Sequence, residues 1–121
     1  MSPASSSTGP DAEGATGPDG AEQERSHPRF DLESSLAHPV RFSLVAALAA
    51  VENARFGDLR DQLQVSDSVL SKQITELEKA GIVKVHKTFV GKRPRTLLSL
   101  TADGYARWNR HLAALRAIAD G

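Results

Sequence analysis

The sequence predicts a mainly α-helical domain with one small β-hairpin, an α+β fold, and three observations carry that reading. Residues 66–80 hold a complete helix signal, with a cap, a buried stripe, a polar face and a stop. After Gly81 the hydrophobic period changes from helical to alternating. A glycine- and proline-marked turn then separates two alternating stretches, and a helical stripe resumes beyond Thr101.

The helix over 66–80 organises the rest. Ser66 or Asp67 can cap its first turn, because a short side-chain oxygen accepts a bond from an orphan amide there. Leu70, Ile74 and Leu77 recur at i, i+4 and i+7 and share one face. Gly81 supplies the left-handed residue that commonly closes a helix. The opposite face carries Ser68, Ser71, Lys72 and Thr75. Short polar side chains of this kind let a helix approach base edges closely, whereas the bland alternative is an ordinary solvated face.

Earlier in the chain, residues 1–29 are rich in Ser, Gly, Pro, Ala and acid, with no apolar residue larger than alanine after Met1. Such a segment cannot bury enough surface to offset its ordering entropy, so it is expected to be a disordered tail, most simply an inert one. Residues 30–121 form the expected domain. A short helical turn is expected at Asp31 or Ser34–Ser35, and Pro39 suits the first position of a main helix. From Val40 to Val51 only Arg41 and Ser43 are polar. A helix apolar nearly all round is expected in the centre of a core, with a second face available to another chain. Residues 53–57 read as a connector, and 58–64 as a short helix with Leu59 and Leu63 inward.

Beyond Gly81, Val83 and Val85 alternate with Lys84 and His86, the pattern of a strand. Residues 96–100 read as its partner, with Leu98 and Leu100 towards the core. Between them, residues 89–95 read as the hairpin tip, crowded by Lys92, Arg93 and Arg95. In the last helix Tyr105, Trp108, Leu112 and Leu115 form the expected stripe.

Composition narrows the function. The 121 residues suffice for one small domain and contain no cysteine, which removes disulfides, thiolate metal sites and cysteine nucleophiles. The longest apolar run, residues 44–51, is too short to span a bilayer, and no secretory signal is recognisable. A cytoplasmic, nucleoid-associated protein with no membrane partner is expected. The formal net charge is zero but unevenly spread. Residues 1–31 set six acids against Arg25 and Arg29, whereas residues 66–100 set seven Lys and Arg against Asp67, Glu76 and Glu78. The positive charge of the folded part is therefore concentrated in one third of the sequence.

A short helix, a tight turn, a polar-faced second helix and a basic hairpin make a winged helix-turn-helix. The run from Leu70 to Val83 resembles the recognition-helix signature of MarR-type bacterial transcriptional regulators. Leu98 to Gly104 is similar to that family's L-x-L-T-x-x-G passage, and Gly91 to Thr96 to the G-[KR]-R-P-R-T wing of a shorter subgroup. The wing departs from the commoner pattern in having Gly91 and Lys92 where an aspartate usually precedes the arginine. The resemblance covers about residues 36–118 and implies a homodimer on a roughly palindromic double-stranded DNA operator. It assigns Ser66, Asp67, Ser68, Ser71, Lys72 and Thr75 to the major groove, and Lys92, Arg93 and Arg95 to the minor groove. Dimerisation would fall to Phe42, Val45, Tyr105, Trp108, Leu112 and Leu115, leaving room for an unidentified small-molecule effector.

Enzymatic and cofactor readings are weak. No G-x-S-x-G, H-E-x-x-H or phosphate-loop motif occurs, and His27, His38, His86 and His111 lack ligand spacing within one element. Each histidine is expected to be a surface or capping residue. The competing function is a winged-helix module that docks a protein through its apolar first helix.

Overall fold

The computed structural model describes residues 26–121. Of the tail expected over residues 1–29, residues 1–25 lie outside the described residues, and Pro28 and Arg29 fall in a 3-10 turn, Pro28–Asp31. The chain divides into a unit ending at Phe30 and a unit from Asp31 to Gly121. In the first, the Arg29 amide donates to His27 Nδ1 (3.0 Å), and the Arg29 guanidinium lies 4.3 Å from the centroid of the Phe30 ring.

The second unit opens with a 3-10 turn, Ser34–Leu36, capped by Glu33, which accepts from the Ser35 amide. Helix α1 (Pro39–Ala49) follows, with Pro39 in its first turn and His38 as N-cap, the imidazole accepting from the Val40 amide. Ala54–Arg55 is a short strand, β1. Then come α2 (Phe56–Leu63), α3 (Asp67–Lys79), β2 (Val83–Val90), β3 (Arg93–Leu100) and α4 (Ala102–Asp120). No helix among the described residues is long and apolar enough to cross a membrane.

Three boundaries differ from the sequence reading. The connector contains β1, which pairs antiparallel with Leu97 and Leu98 and makes the hairpin a three-stranded sheet in the order β1-β3-β2. Two residues are too few to show a period, so only the pairing reveals the strand. Helix α2 starts two residues earlier than expected and ends at Leu63, because Gln64 takes a left-handed conformation (φ 56°) that turns the chain into α3. The hairpin loop is only Gly91 and Lys92, and residues 89–90 and 93–95 belong to the ladder. The positive φ falls on Gly91 and not on Lys92, as a type II′ turn requires. The wing is consequently a long ribbon.

The core gathers around α1, as its composition requires. Leu44, Val45 and Leu48 are fully enclosed, and Leu59, Leu70, Leu77, Ile82 and Leu98 surround them. Burying each such side chain contributes roughly 1.5–3 kcal/mol. In α4 the buried positions are Gly104, Trp108, His111 and Ala114: Trp108 is buried as expected, and the other three each fall one residue before Tyr105, Leu112 and Leu115. His111 is therefore an interior residue rather than a surface one; its Nδ1 accepts from the Glu33 amide (3.0 Å). The offset follows from Gly104, which packs directly on the Ile82 carbonyl.

The junction between α3 and α4 explains that glycine. Gly81 takes φ +79°, the Ile82 amide donates to the Leu77 carbonyl, and the Gly81 amide to the Glu78 carbonyl. Those two bonds make a Schellman motif, and Leu77 and Ile82, which flank it, are both wholly buried in the core. The Thr101 amide donates to the Ile82 carbonyl (2.9 Å), and the Thr101 hydroxyl donates to the Gly81 carbonyl (2.6 Å). The same hydroxyl accepts from the Gly104 amide and so caps α4. A Cβ at Gly104 would lie 2.2 Å from the Ile82 carbonyl oxygen. Gly104→Ala is accordingly expected to destabilise the domain by about 3 kcal/mol or more, because the clash is with backbone that cannot swing aside. Chemical denaturation of the two proteins checks this.

Candidate nucleic-acid interface

Helix α3 begins where its cap dictates. The Ser66 Oγ accepts from the Val69 amide (3.2 Å), so Ser66 is the N-cap and Asp67 the first helical residue. Asp67 instead accepts from Arg60 of α2 (3.1 Å) across the turn, an exposed pair that adds little stability but keeps the acid neutralised. Leu70, Gln73, Ile74 and Leu77 face inward, and Ser68, Ser71, Lys72 and Thr75 are exposed. At 100° per residue these four share one face, with Val69 (40% exposed) at its edge. The Ser68 and Ser66 hydroxyls lie 3.3 Å apart, and the Thr75 hydroxyl donates to the Ser71 carbonyl.

Two polar ties aim the helix. Gln73 is only 6% exposed, and its Oε1 accepts from Arg41 of α1 (2.9 Å), whose Nε donates to the Ser35 carbonyl. At the other end Arg107 of α4 donates to the Ala80 carbonyl and forms a two-pronged pair with Glu33 (2.8 and 3.0 Å). Arg107 also reaches Asp103 (3.0 Å). Neither tie is legible in the sequence, since Gln73 and Arg107 are surface residue types in a helical pattern and their partners are remote along the chain.

The ribbon's two faces follow from its register. Val83, Val85, Lys87 and Phe89 pair with Leu100, Leu98, Thr96 and Pro94 and share one face. Lys84, His86, Thr88 and Val90, opposite Ser99, Leu97, Arg95 and Arg93, form the other. A groove between α3 and the first face is lined by Phe56, Ser71, Thr75, Glu78, Lys87 and Thr96. It brings Ser71 and Thr75 of the proposed reading helix beside Lys87, a cation to which the sequence reading gives no role. The alternation of Val83, Val85 and Lys87 is the signal that could have found it. Lys92 lies in the loop, while Arg93 and Arg95 point to the far face.

Lys72, Lys84, Lys87, Lys92, Arg93 and Arg95 form no salt bridge among the described residues, and nor do Arg29, Arg41, Arg110 and Arg116 elsewhere; what distinguishes this surface is its local run of charge. No acid occurs between Lys79 and Asp103. Unpaired cations along an acid-free ribbon are suited to phosphate, since nothing in the chain must be displaced for them to bind it.

The residues expected at a dimer face are divided. Val45 is wholly enclosed and has no surface to offer a second chain, which corrects that assignment. Trp108 is 8% exposed and packs on Phe42 with ring centroids 5.1 Å apart, so its principal role is in the core. Tyr105 is half-buried and donates from its hydroxyl to the Val51 carbonyl. Leu112 is half-buried, and Leu115 (37%) and Ile118 (38%) are exposed.

The Arg107 bonds hold the Glu33 carboxyl down from 4.5 to about 2. A folded-state value below the unfolded one means that the stabilisation is full above pH 4.5 and is lost as the pH falls towards 2. Glu33→Gln should therefore cost about 3 kcal/mol at neutral pH. The gap between variant and parent in thermal unfolding should close as the pH is lowered through that window.

Comparison with known proteins agrees with this geometry. A family model described as a winged helix DNA-binding domain matches residues 40–119. The transcriptional regulator homologue protein from Pyrococcus horikoshii OT3 is 31% identical with a TM-score of 0.71, the match covering 77% of this chain and 93% of that one. A MarR-family regulator from Enterococcus faecalis V583 is 26% identical with a TM-score of 0.64, covering 80% and 86%. NadR in complex with 4-hydroxyphenylacetate is 26% identical with a TM-score of 0.62, covering 83% and 70%. The chain belongs to the winged helix DNA-binding domain family and is a MarR-like DNA-binding transcriptional regulator.

Proposed function

We propose that the chain is a sequence-specific regulator that acts in the cytoplasm as a homodimer on a palindromic operator. Helix α3, with Ser66, Asp67, Ser68, Ser71, Lys72 and Thr75, lies in the major groove, and the wing, with Lys92, Arg93 and Arg95, in the minor groove. The observation that supports this most is the groove that sets Ser71 and Thr75 of α3 beside Lys87, on a ribbon that carries no acid between Val83 and Leu100. Lys72 is suited to a guanine edge, and Val69 to a thymine methyl. The alternative module would dock through α1, whose Leu44, Val45 and Leu48 are wholly enclosed in this chain's own core, which weighs against it.

Dimerisation is supported by the apolar edge of α4 left exposed at Leu115 and Ile118, next to the half-buried Leu112. An effector site is supported by a cavity of about 590 Å³ lined by Leu32, Glu33, Leu36, Phe42, His111 and Leu115. Burial holds the His111 imidazole below its usual range, opposed by the Glu33 charge, so it presents a neutral ring there. A ligand touching Glu33 would reach α3 through Arg107 and the Ala80 carbonyl.

Replacing Lys92 and Arg93 together by alanine should weaken binding on all duplex sequences alike. It should also flatten the dependence of log affinity on log salt by about one for each phosphate no longer neutralised. Ser71→Ala should instead reorder the preference among sequences. An unchanged salt slope in the double variant would refute the wing's role, and uniform weakening by Ser71→Ala would count against base reading by α3.

A further inference from the structure

The core does not account for the end of the ribbon. Phe89 and Val90 are 69% and 51% exposed, adjacent in sequence, and immediately precede the two-residue loop. Single exposed apolar residues are ordinary on a protein surface. Two in succession on a segment whose other long side chains are cations call for a partner that takes both chemistries.

Register defines where they sit. Phe89 pairs with Pro94 on the face that carries Lys87 and Thr96, two residues and about 7 Å beyond Lys87. Lys87 and Thr96 in turn line the groove against Ser71 and Thr75. One continuous face therefore runs from the reading helix, past a cation, to a phenyl ring backed by a proline. Val90 lies on the opposite face beside Arg93. Around this tip are Lys87, Lys92, Arg93 and Arg95, with no acid nearby in the sequence and no ion pair among the described residues. A polyanion that also offers flat apolar surface matches this arrangement, and duplex DNA offers that surface between its base pairs.

We propose that the wing tip is an apolar wedge: Phe89, backed by Pro94 and flanked by Val90, enters the minor groove and partly unstacks one base step. Lys92 and Arg93 hold the phosphates on either side of the opened step. The inference rests on the reading of the wing as a DNA-binding element and adds to it a deformation of the DNA. Wedge residues of this type kink the duplex towards the major groove, away from the inserted side chain. Pyrimidine–purine steps unstack most readily, so the wedge gives the operator a preference for TA or CA at a fixed offset from each half-site, without a hydrogen bond to either base.

The test uses the full chain and a duplex recovered by selection from random sequence. Adenines are replaced one at a time by 2-aminopurine, whose fluorescence rises on unstacking, and donor and acceptor dyes at the duplex ends report bending. The parent protein should brighten one step per half-site and shorten the end-to-end distance, and Phe89→Leu should do the same. Phe89→Ala should lose both signals and bind about tenfold more weakly, the effect of removing one ring stacked on a base. Its salt slope and thermal midpoint should stay at the parent's values, since neither a cation nor a core residue is removed. Retention of both signals by Phe89→Ala overturns the wedge. Salt-dependent binding by the parent with no brightening at any step also overturns it, while leaving the wing's hold on DNA intact. Failure of the parent to bind any duplex overturns both readings.

Discussion

The recognition helix and the wing are joined by only Ala80, Gly81 and Ile82, so their mutual angle depends on how those three residues are held. The left-handed Gly81 ends α3, and the Ile82 amide returns to Leu77. Thr101 then bonds both the Gly81 and Ile82 carbonyls, and Gly104 lets α4 close directly on the second of them. Arg107 takes the remaining exposed carbonyl, that of Ala80, while gripped by Glu33. The Ala80, Gly81 and Ile82 carbonyls thus find their partners at Thr101, the N-cap of α4, and at Arg107 within it. Helix, ribbon and closing helix are set as one rigid corner. The surface proposed to meet DNA is the outside of that corner.

This constraint also accounts for what α4 leaves uncovered. Because α4 starts at Ala102 with Gly104 packed directly on the Ile82 carbonyl, its further buried positions fall at Trp108, His111 and Ala114. The larger apolar side chains of Leu112 and Leu115 are rotated towards the edge. An interior histidine is then tolerated because Glu33 supplies it an amide donor, and Phe42 packs against its ring at 5.8 Å. The polar ties at Gln73 and Glu33 act from the opposite side. They fasten α3 to α1 and to the segment before it, so a change at the apolar cavity has a bonded route to the recognition helix.

Much of the fold is legible in the sequence because it rests on local signals. Ser66, the Leu70–Ile74–Leu77 stripe and Gly81 define α3 without reference to anything distant, and the switch in period at Val83 and Val85 defines the ribbon. The features that escape are those whose meaning is supplied from afar. β1 is a strand only because Leu97 and Leu98 lie beside it. Gln73 and Arg107 look like solvated residues until Arg41 and Glu33 meet them. Val45 looks available to a partner because an apolar helix carries no label distinguishing its core face from its outer one; burial supplies that label. In the site, the polar face of α3 and the cations of the wing are visible in the sequence, whereas Lys87 joins them only once the register sets it opposite Thr96.

The central claim is that two copies of this corner read DNA together, and selection of bound duplexes from a random pool at two salt concentrations tests it most directly. The account predicts a two-fold symmetric consensus with half-sites roughly 34 Å apart, about one helical turn, retained at the higher salt. Binding that yields no consensus, or one lacking two-fold symmetry, would contradict it.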